Sequence, residues 1–311
     1  MALFSVIIPL FNKAPHIENT LKSVLSQTLD DYEIIIVNDG STDNGSEIVK
    51  SIRDSRIRII DQSNQGVSAA RNKGIENSNG TLIAFLDADD YWFPDHLKEL
   101  SDLYTNFPDC GIYCSRYKIK TTSKHFSTPH FNGIPENFSG IIGNYFYSNR
   151  PSRITWTSSL AIPKEILIQY GGFTVGVTNG QDFELWTKIG IHEKIAIGSA
   201  YTSLYNYHIP GSLAKTNIGK MKLMDFSQFK EDELKNKDLK SFLDLHRFFY
   251  AMLYKSNRNY KEAVFYYKDI DKKNIGILNQ ILFNLPSSLL KILYLIKKTL
   301  KKTGLEFSTY N

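Results

Sequence analysis

The sequence predicts an α/β protein with a mixed, mostly parallel sheet, Rossmann-like, covered by helices on both faces and followed by a helical C-terminal appendage. Three observations carry this expectation. Apolar runs alternate with helix-period segments over the first hundred residues. The runs are almost continuously apolar, as expected of strands covered on both faces. After about Thr216 the composition shifts to Lys, Leu, Phe and Tyr with helical periodicity.

The elements follow in order. Phe4 to Pro9 reads as a strand, His16 to Gln27 as an amphipathic helix, and Tyr32 to Val37 as a second strand. Ser46 to Ile52 is predicted helical, Ile57 to Ile60 a third strand, Val67 to Asn77 helical, and Leu82 to Leu86 a fourth strand. Pro94 and Asp95 open a further helix that runs to about Asn106. From Cys110 to about Thr128 the pattern is strand-like. Thr128 to Arg153 is rich in Asn, Gly, Pro and Ser and reads as a long loop. Pro163 to Gln169 and Phe183 to Ile189 read as helices, and Tyr201 to His208 as a strand. The expected organisation is a domain over 1–215, with halves 1–108 and 109–215, and an appendage over 216–311.

Composition narrows the class. The chain has 311 residues, 42% hydrophobic and 22% charged, enough for a sizeable core. A net charge of +5 lacks the concentrated basic footprint of a nucleic-acid binder, so no nucleic-acid partner is expected. The two cysteines, Cys110 and Cys114, read as buried thiols on one side of a strand in a reducing compartment. The run from Phe4 to Phe11 is broken by Ser5 and Pro9 and reads as a first strand rather than a signal peptide. No stretch reaches the ~18 uninterrupted apolar residues of a spanning helix. The expected location is cytoplasmic, with peripheral contact to the inner face of the cell membrane as one option.

The chemistry concentrates at strand ends. Leu82-Ile83-Ala84-Phe85-Leu86-Asp87-Ala88-Asp89-Asp90 puts three carboxylates off the C-terminal end of an apolar strand, where ligands of open α/β sheets sit. Clustered carboxylates repel one another, and a hard divalent cation that also holds substrate phosphates would compensate them. Asp39, directly after the second strand, suits either a turn or a hydrogen bond to ribose or base. Gly66-Val67-Ser68-Ala69-Ala70-Arg71 opens a helix whose start favours anions, and Arg71 is either a diphosphate partner or a solvated helical arginine. Asp182 stands at a helix start, as a cap or as a functional acid. His208 ends a strand, as a structural or a functional histidine. Neither G-x-G-x-x-G after the first strand nor G-x-x-x-x-G-K-[ST] occurs.

In chain order these pieces are no longer independent. Val6-Ile7-Ile8-Pro9-Leu10-Phe11-Asn12, Glu33-Ile34-Ile35-Ile36-Val37-Asn38-Asp39-Gly40-Ser41-Thr42-Asp43, Gly66 to Asn72, and Phe85 to Asp90 resemble the family 2 glycosyltransferases of GT-A fold. The resemblance is dense over about 1–110, thinner through Gly171-Gly172-Phe173, Asp182 to Trp186 and Tyr207-His208, and ends near 215. It implies a nucleotide-sugar donor, commonly a uridine diphosphate sugar, a divalent cation (Mn2+ or Mg2+), and transfer with inversion to a glycan or lipid-linked acceptor of a bacterial surface polysaccharide. Carried over, Pro9, Phe11 and Asp39 would hold the nucleoside, and Arg71 would lie near base or diphosphate. Asp87 would contact ribose or metal, and Asp89 would be the principal metal ligand, with Asp90 as a substitute for either. Asp182 matches the catalytic base, and His208 a position that faces metal or diphosphate. The family often has Glu immediately before the base, where this chain has Gln181.

Two other classes fit parts of this pattern. A non-catalytic nucleotide-sugar binder needs no base, so Asp89 and Asp182 together speak against it. A sugar-1-phosphate nucleotidyltransferase usually carries a glycine-rich loop after its first strand, whereas this chain has Leu10-Phe11-Asn12-Lys13-Ala14-Pro15. A processive synthase would need membrane spans and a Gln-x-x-Arg-Trp run. In the appendage, Leu289, Ile292, Leu293, Ile296 and Leu300 fall on one helical face, with Lys291, Lys298 and Lys302 opposite and Lys297 and Lys301 at its edge. Over 286–302 this reads as a basic amphipathic helix in a membrane interface or as a helix packed on the domain.

Overall fold

The computed structural model describes residues 2–122, 125–150, 152–207, 209, 221–290, 292, 293 and 296. The first half runs β1 (Phe4–Leu10), α1 (Ala14–Leu25), β2 (Tyr32–Asp39), α2 (Gly45–Ser51), β3 (Ile57–Gln62), α3 (Val67–Glu76), β4 (Leu82–Phe85), β5 (Tyr91–Trp92) and α4 (His96–Asn106). Then come β6 (Cys110–Lys120), β7 (Phe126–Ser127), β8 (Gly140–Ile141), α5 (Tyr145–Ser148), β9 (Leu160–Pro163), α6 (Lys164–Gln169), α7 (Gln181–His192) and β10 (Lys194–Tyr205). Four helices follow: α8 (Lys230–Lys235), α9 (Lys237–Ser256), α10 (Tyr260–Lys268) and α11 (Gly276–Asn284).

One sheet holds the strands in the order β3-β2-β1-β4-β9-β6-β10-β5, with β7 on β6 and β8 on β10. β3, β2, β1 and β4 are mutually parallel, β9 runs antiparallel between β4 and β6, and β10 runs parallel to β6. The chain turns from β1 to β2 on one side and to β4 on the other. The crevice at the carboxyl ends of β1 and β4 is therefore the topological switch point, where ligands of such sheets bind.

Both faces of the sheet are buried, which explains the continuous apolar runs. Phe4, Val6, Ile8 and Leu10 pack with Ile17, Leu21 and Val24 of α1 and Leu97, Leu100 and Leu103 of α4. Ile7 faces the other way, into a core shared with Ile75, Phe85, Trp186 and Ile189. That second core continues into Phe226, Phe229, Leu239, Phe242 and Tyr250, so α9 packs on the same core as the sheet.

Several boundaries differ from the expectation for local reasons. The helix expected from His16 starts at Ala14, since Pro15 suits a first turn. β10 begins seven residues before the expected Tyr201. Its small, partly polar residues and its register shifts against β6 hide the alternation. β9 and the two-residue β5 are too short to show a period. The long segment over 128–153 is mostly irregular as expected, yet it carries β8 and α5 and buries Phe131, Ile134, Ile142, Tyr145 and Phe146. Cys110 and Cys114 are buried free thiols, but they face opposite cores. Lys194 pairs with Cys110 and Ile195 with Ile112, so an extra residue in β6 reverses the alternation.

Among the described residues no helix is long and apolar enough to cross a membrane. His96 is fully buried, its Nδ1 2.8 Å from Thr202 Oγ1, and burial lowers its pKa to about 3. Its neutral form is thus the folded one, and the unfolded chain binds this proton first. The stability it contributes is complete above about pH 6.5 and falls as pH drops towards about 3. Denaturation midpoints measured from pH 7 to pH 4 should therefore fall, and His96→Asn should flatten part of that fall. An unchanged acid limb in the variant would show that other groups drive it.

Candidate active site

The site grows from loops at the carboxyl end of the sheet. After β1, Asn12 adopts a left-handed conformation (φ 51°), and its Oδ1 accepts from Thr42 N at 2.8 Å. Asp43 Oδ2 accepts from Ala14 N at 2.8 Å. These bonds lock the β1–α1 loop to the β2–α2 loop. Gly40 (φ +71°) is required there, because a Cβ would stand 2.8 Å from Asn64 N.

The loops border a cleft of about 400 Å³. Asp39, Asp87, Asp89 and Asp182 all line it. Each carboxylate is compensated differently. Asp39 Oδ1 accepts from Gln62 Nε2 and Gln65 N, both at 2.8 Å, and Oδ2 accepts from Gly66 N at 2.9 Å. Asp39 thus shapes the β3–α3 loop at the cleft edge.

Asp87 Oδ1 accepts from Arg71 Nη2 at 2.7 Å. Arg71 is 3% exposed, so it is not a solvated helical arginine, and its guanidinium lies over the Phe173 ring at 5.1 Å. Its Nε and Nη1 are buried with no partner among the described residues. Asp89 Oδ2 accepts from Lys13 Nζ at 2.5 Å. Asp90 does not join the cleft: it is 2% exposed, and its Oδ1 accepts from Asn206 N at 3.0 Å. Burial first, then the Asp87 and Asp89 charges, push its pKa well above the usual carboxylate range. A substitute role in the cleft is therefore not supported for Asp90.

Asp182 is the second residue of α7, and the helix cap is Gly180 at φ +86°. Its Oδ1 accepts from Phe183 N at 2.8 Å. Its Oδ2 lies 3.4 Å from Thr157 Oγ1 and 3.6 Å from Arg153 Nη1. Beside it, Gln181 is 8% exposed, and its Oε1 has no partner among the described residues. Pro9 and Phe11 line the same cleft, and the Phe11 ring is 45% exposed, open to a planar ligand. Trp156 and Tyr205 line it too, their rings 4.1 Å apart. His208 lies outside the described residues.

The cleft thus gathers Pro9, Phe11, Asp39, Arg71, Asp87, Asp89 and Asp182. Sequence reasoning missed Lys13, Arg153, Trp156 and Tyr205. Only Lys13 had a signal, its place in the loop after the first strand at the ligand-binding end of the sheet.

Among the described residues no group of three or more His, Cys, Asp or Glu side chains is placed to hold a metal ion by itself. A small hard cation is commonly held by one or two carboxylates together with substrate phosphates. Asp89, facing the cleft with an oxygen set, fits that mode, in which Lys13 would give way to the cation.

Comparison with known proteins bears on the family and the fold. The family described as Glycosyl transferase family 2 matches residues 5–171. The uncharacterized glycosyltransferase EpsJ of Bacillus subtilis (strain 168) is 44% identical over 117 residues, 36% of this chain and 34% of that protein, so the match spans about a third of that relative. S. aureus TarS 1–349, solved in complex with UDP-GlcNAc, superposes with a TM-score of 0.68 at 17% identity, covering 87% of this chain and 82% of that 1–349 chain. Mannosyltransferase PcManGT from Pyrobaculum calidifontis, solved with GDP-Man and Mn2+, gives 0.50 at 19% identity, covering 68% of this chain and 58% of that one. The two solved structures are alike in fold, and the family match spans more than half of the chain. The chain belongs to glycosyltransferase family 2 and has the GT-A fold.

Proposed function

We propose that the protein moves a sugar from a nucleoside-diphosphate sugar, of the uridine class, to a hydroxyl of a glycan or lipid-linked acceptor, with inversion and with a divalent cation, in bacterial surface polysaccharide synthesis. The observation that carries this reading is that Asp182, from α7, opens on the same cleft as Asp87 and Asp89, from the end of β4. Inversion needs attack from the face opposite the leaving group, so base and leaving-group site must come from different parts of the chain. The TarS structure with UDP-GlcNAc and the mannosyltransferase with GDP-Man and Mn2+ support a nucleotide-sugar donor and a divalent cation.

The residues then take these roles. Pro9 and the open Phe11 ring receive the base, while Asp39 holds the loop around the nucleoside and takes part in holding it. Arg71 braces Asp87 and keeps two N–H groups for the donor. Asp89 is the metal ligand, with His208 as a second. When bound, Mn2+ or Mg2+ would neutralise charge on the departing diphosphate. Asp182 takes the proton of the acceptor hydroxyl, a poor nucleophile until a positioned carboxylate does so. Arg153 and the start of α7 set positive charge beside the Asp182 carboxylate. The catalytic unit in this proposal is 1–215, with 216–311 as its appendage.

The appendage supports a membrane surface as a partner. Leu289, Ile292, Leu293 and Ile296, spaced for one helical face, are all 38–53% exposed, which supports this reading, while Leu300 and the lysines of the segment lie outside the described residues. Five lysines lie between 291 and 302 with no acidic residue among them. Such a face suits the interface of an anionic bilayer and would place the enzyme peripherally on the inner leaflet.

Asp182→Asn is expected to keep UDP affinity within about twofold and to reduce transfer by about a thousandfold or more, in line with loss of a general base. A normal transfer rate would remove the base assignment. The membrane reading is tested by sedimentation with vesicles. Binding to phosphatidylglycerol-containing vesicles, weakened by salt and by Ile292→Glu with Leu293→Glu, is expected. Equal recovery in the supernatant with and without vesicles would contradict it.

A further inference from the structure

The turn that carries Asp182 is held from both sides by chain that lies after the catalytic sheet. On the approach side, Thr178 N donates to Lys222 O and Lys222 N donates to Thr178 Oγ1, each at 2.8 Å, and Asn179 pairs with Leu223 in a parallel bridge. At the cap, Gly180 is left-handed (φ +86°), and a Cβ there would collide with the Tyr250 hydroxyl oxygen. That hydroxyl donates to Asn179 O at 3.4 Å, and Tyr250 is 2% exposed. On the far side, the Phe183 ring stacks on Phe242 at 4.9 Å and meets His246 at 3.6 Å.

Every one of these partners comes from 222–250, and Phe242, His246 and Tyr250 all sit on α9. Residues at i, i+4 and i+8 share one helix face, so a single face of α9 grips the residues before and after Asp182. The grip covers α7 at its first turn, which sets the direction of the carboxylate. Among the described residues, Asp182's own polar contacts are thin by comparison, two neighbours at 3.4 and 3.6 Å and one backbone N–H. Its aim therefore rests on the turn more than on its own bonds.

We propose that α9 is a positioning element for the reaction, with Tyr250 the positioning residue that fixes the Asn179–Gly180 turn and so aims Asp182 at the acceptor hydroxyl. The inference rests on the reading of Asp182 as the base. Misplacing a reacting group by about 1 Å costs as much as a hundredfold in rate, while leaving distant binding contacts alone. Tyr250 touches no part of the donor side of the cleft, so its loss should appear in kcat and not in nucleotide affinity.

The test uses the full chain with Mn2+. UDP release by hydrolysis, with water taking the sugar in place of the acceptor hydroxyl, is followed from whichever of UDP-Glc, UDP-Gal and UDP-GlcNAc the unmodified protein turns over fastest, and UDP affinity is measured by calorimetry. Tyr250→Ala should lower kcat about tenfold or more, keep UDP affinity within about twofold, and speed amide exchange at 178–184. Gly180→Ala should show a similar loss, since its Cβ would meet the Tyr250 hydroxyl oxygen and its backbone would be strained at φ +86°. Unaltered kcat in Tyr250→Ala would overturn the proposal, as would a loss of UDP affinity in step with kcat. Asp182→Asn is run alongside. If it is inactive while Tyr250→Ala is fully active, positioning by α9 fails alone. If it is fully active, the reading of the base fails instead.

Discussion

The structure depends on neutralising four carboxylates gathered at one end of one sheet. Asp39, Asp87, Asp89 and Asp182 share a cleft of about 400 Å³, and like charges a few ångströms apart repel strongly wherever water is partly excluded. Each is answered by a different device: backbone and amide N–H groups for Asp39, Arg71 for Asp87, Lys13 for Asp89, and Arg153 with a helix start for Asp182. The protein folds around these pairs. A donor diphosphate brings more negative charge to the same place, so the same cations must be shared or supplemented. In the proposed reaction a divalent cation would supply that supplement.

The sheet order explains why the acids meet. β1 is the pivot of the parallel strands, with β2 on one side and β4 on the other. The loops after β1 and β4 therefore open beside each other, which brings Lys13 to Asp89 across 76 residues of sequence. Asp182 comes from the far half of the chain. The second core runs from Ile7 and Phe85 through Trp186 to Phe242 and Tyr250. The strands that border the cleft, Asp182 and α9 are packed together by that core.

Much of this was legible in the sequence. The strands β1 to β4 announced themselves because burial on both faces demands unbroken apolar runs. The acids at their ends stood out because charge directly after such a run has few structural uses. What stayed hidden depended on contacts between distant segments. Lys13 and Arg153 are unremarkable as single residues, and only the fold sets them against Asp89 and Asp182. Asp182 taken alone read more readily as a helix cap, and only the fold gives the cap position to the left-handed Gly180 instead. Cys110 and Cys114 were placed on one face by simple alternation, which the extra residue in β6 breaks.

The claim that these acids form a donor site completed by a cation is tested most directly by thermal unfolding of the full chain with UDP, in the presence and absence of Mn2+. Ligands that bind only the folded state raise its stability in proportion to the logarithm of their saturation. Stabilisation by UDP that appears only with Mn2+, and disappears in Asp89→Ala, is the expected result. Equal stabilisation without metal, or none under either condition, would contradict it.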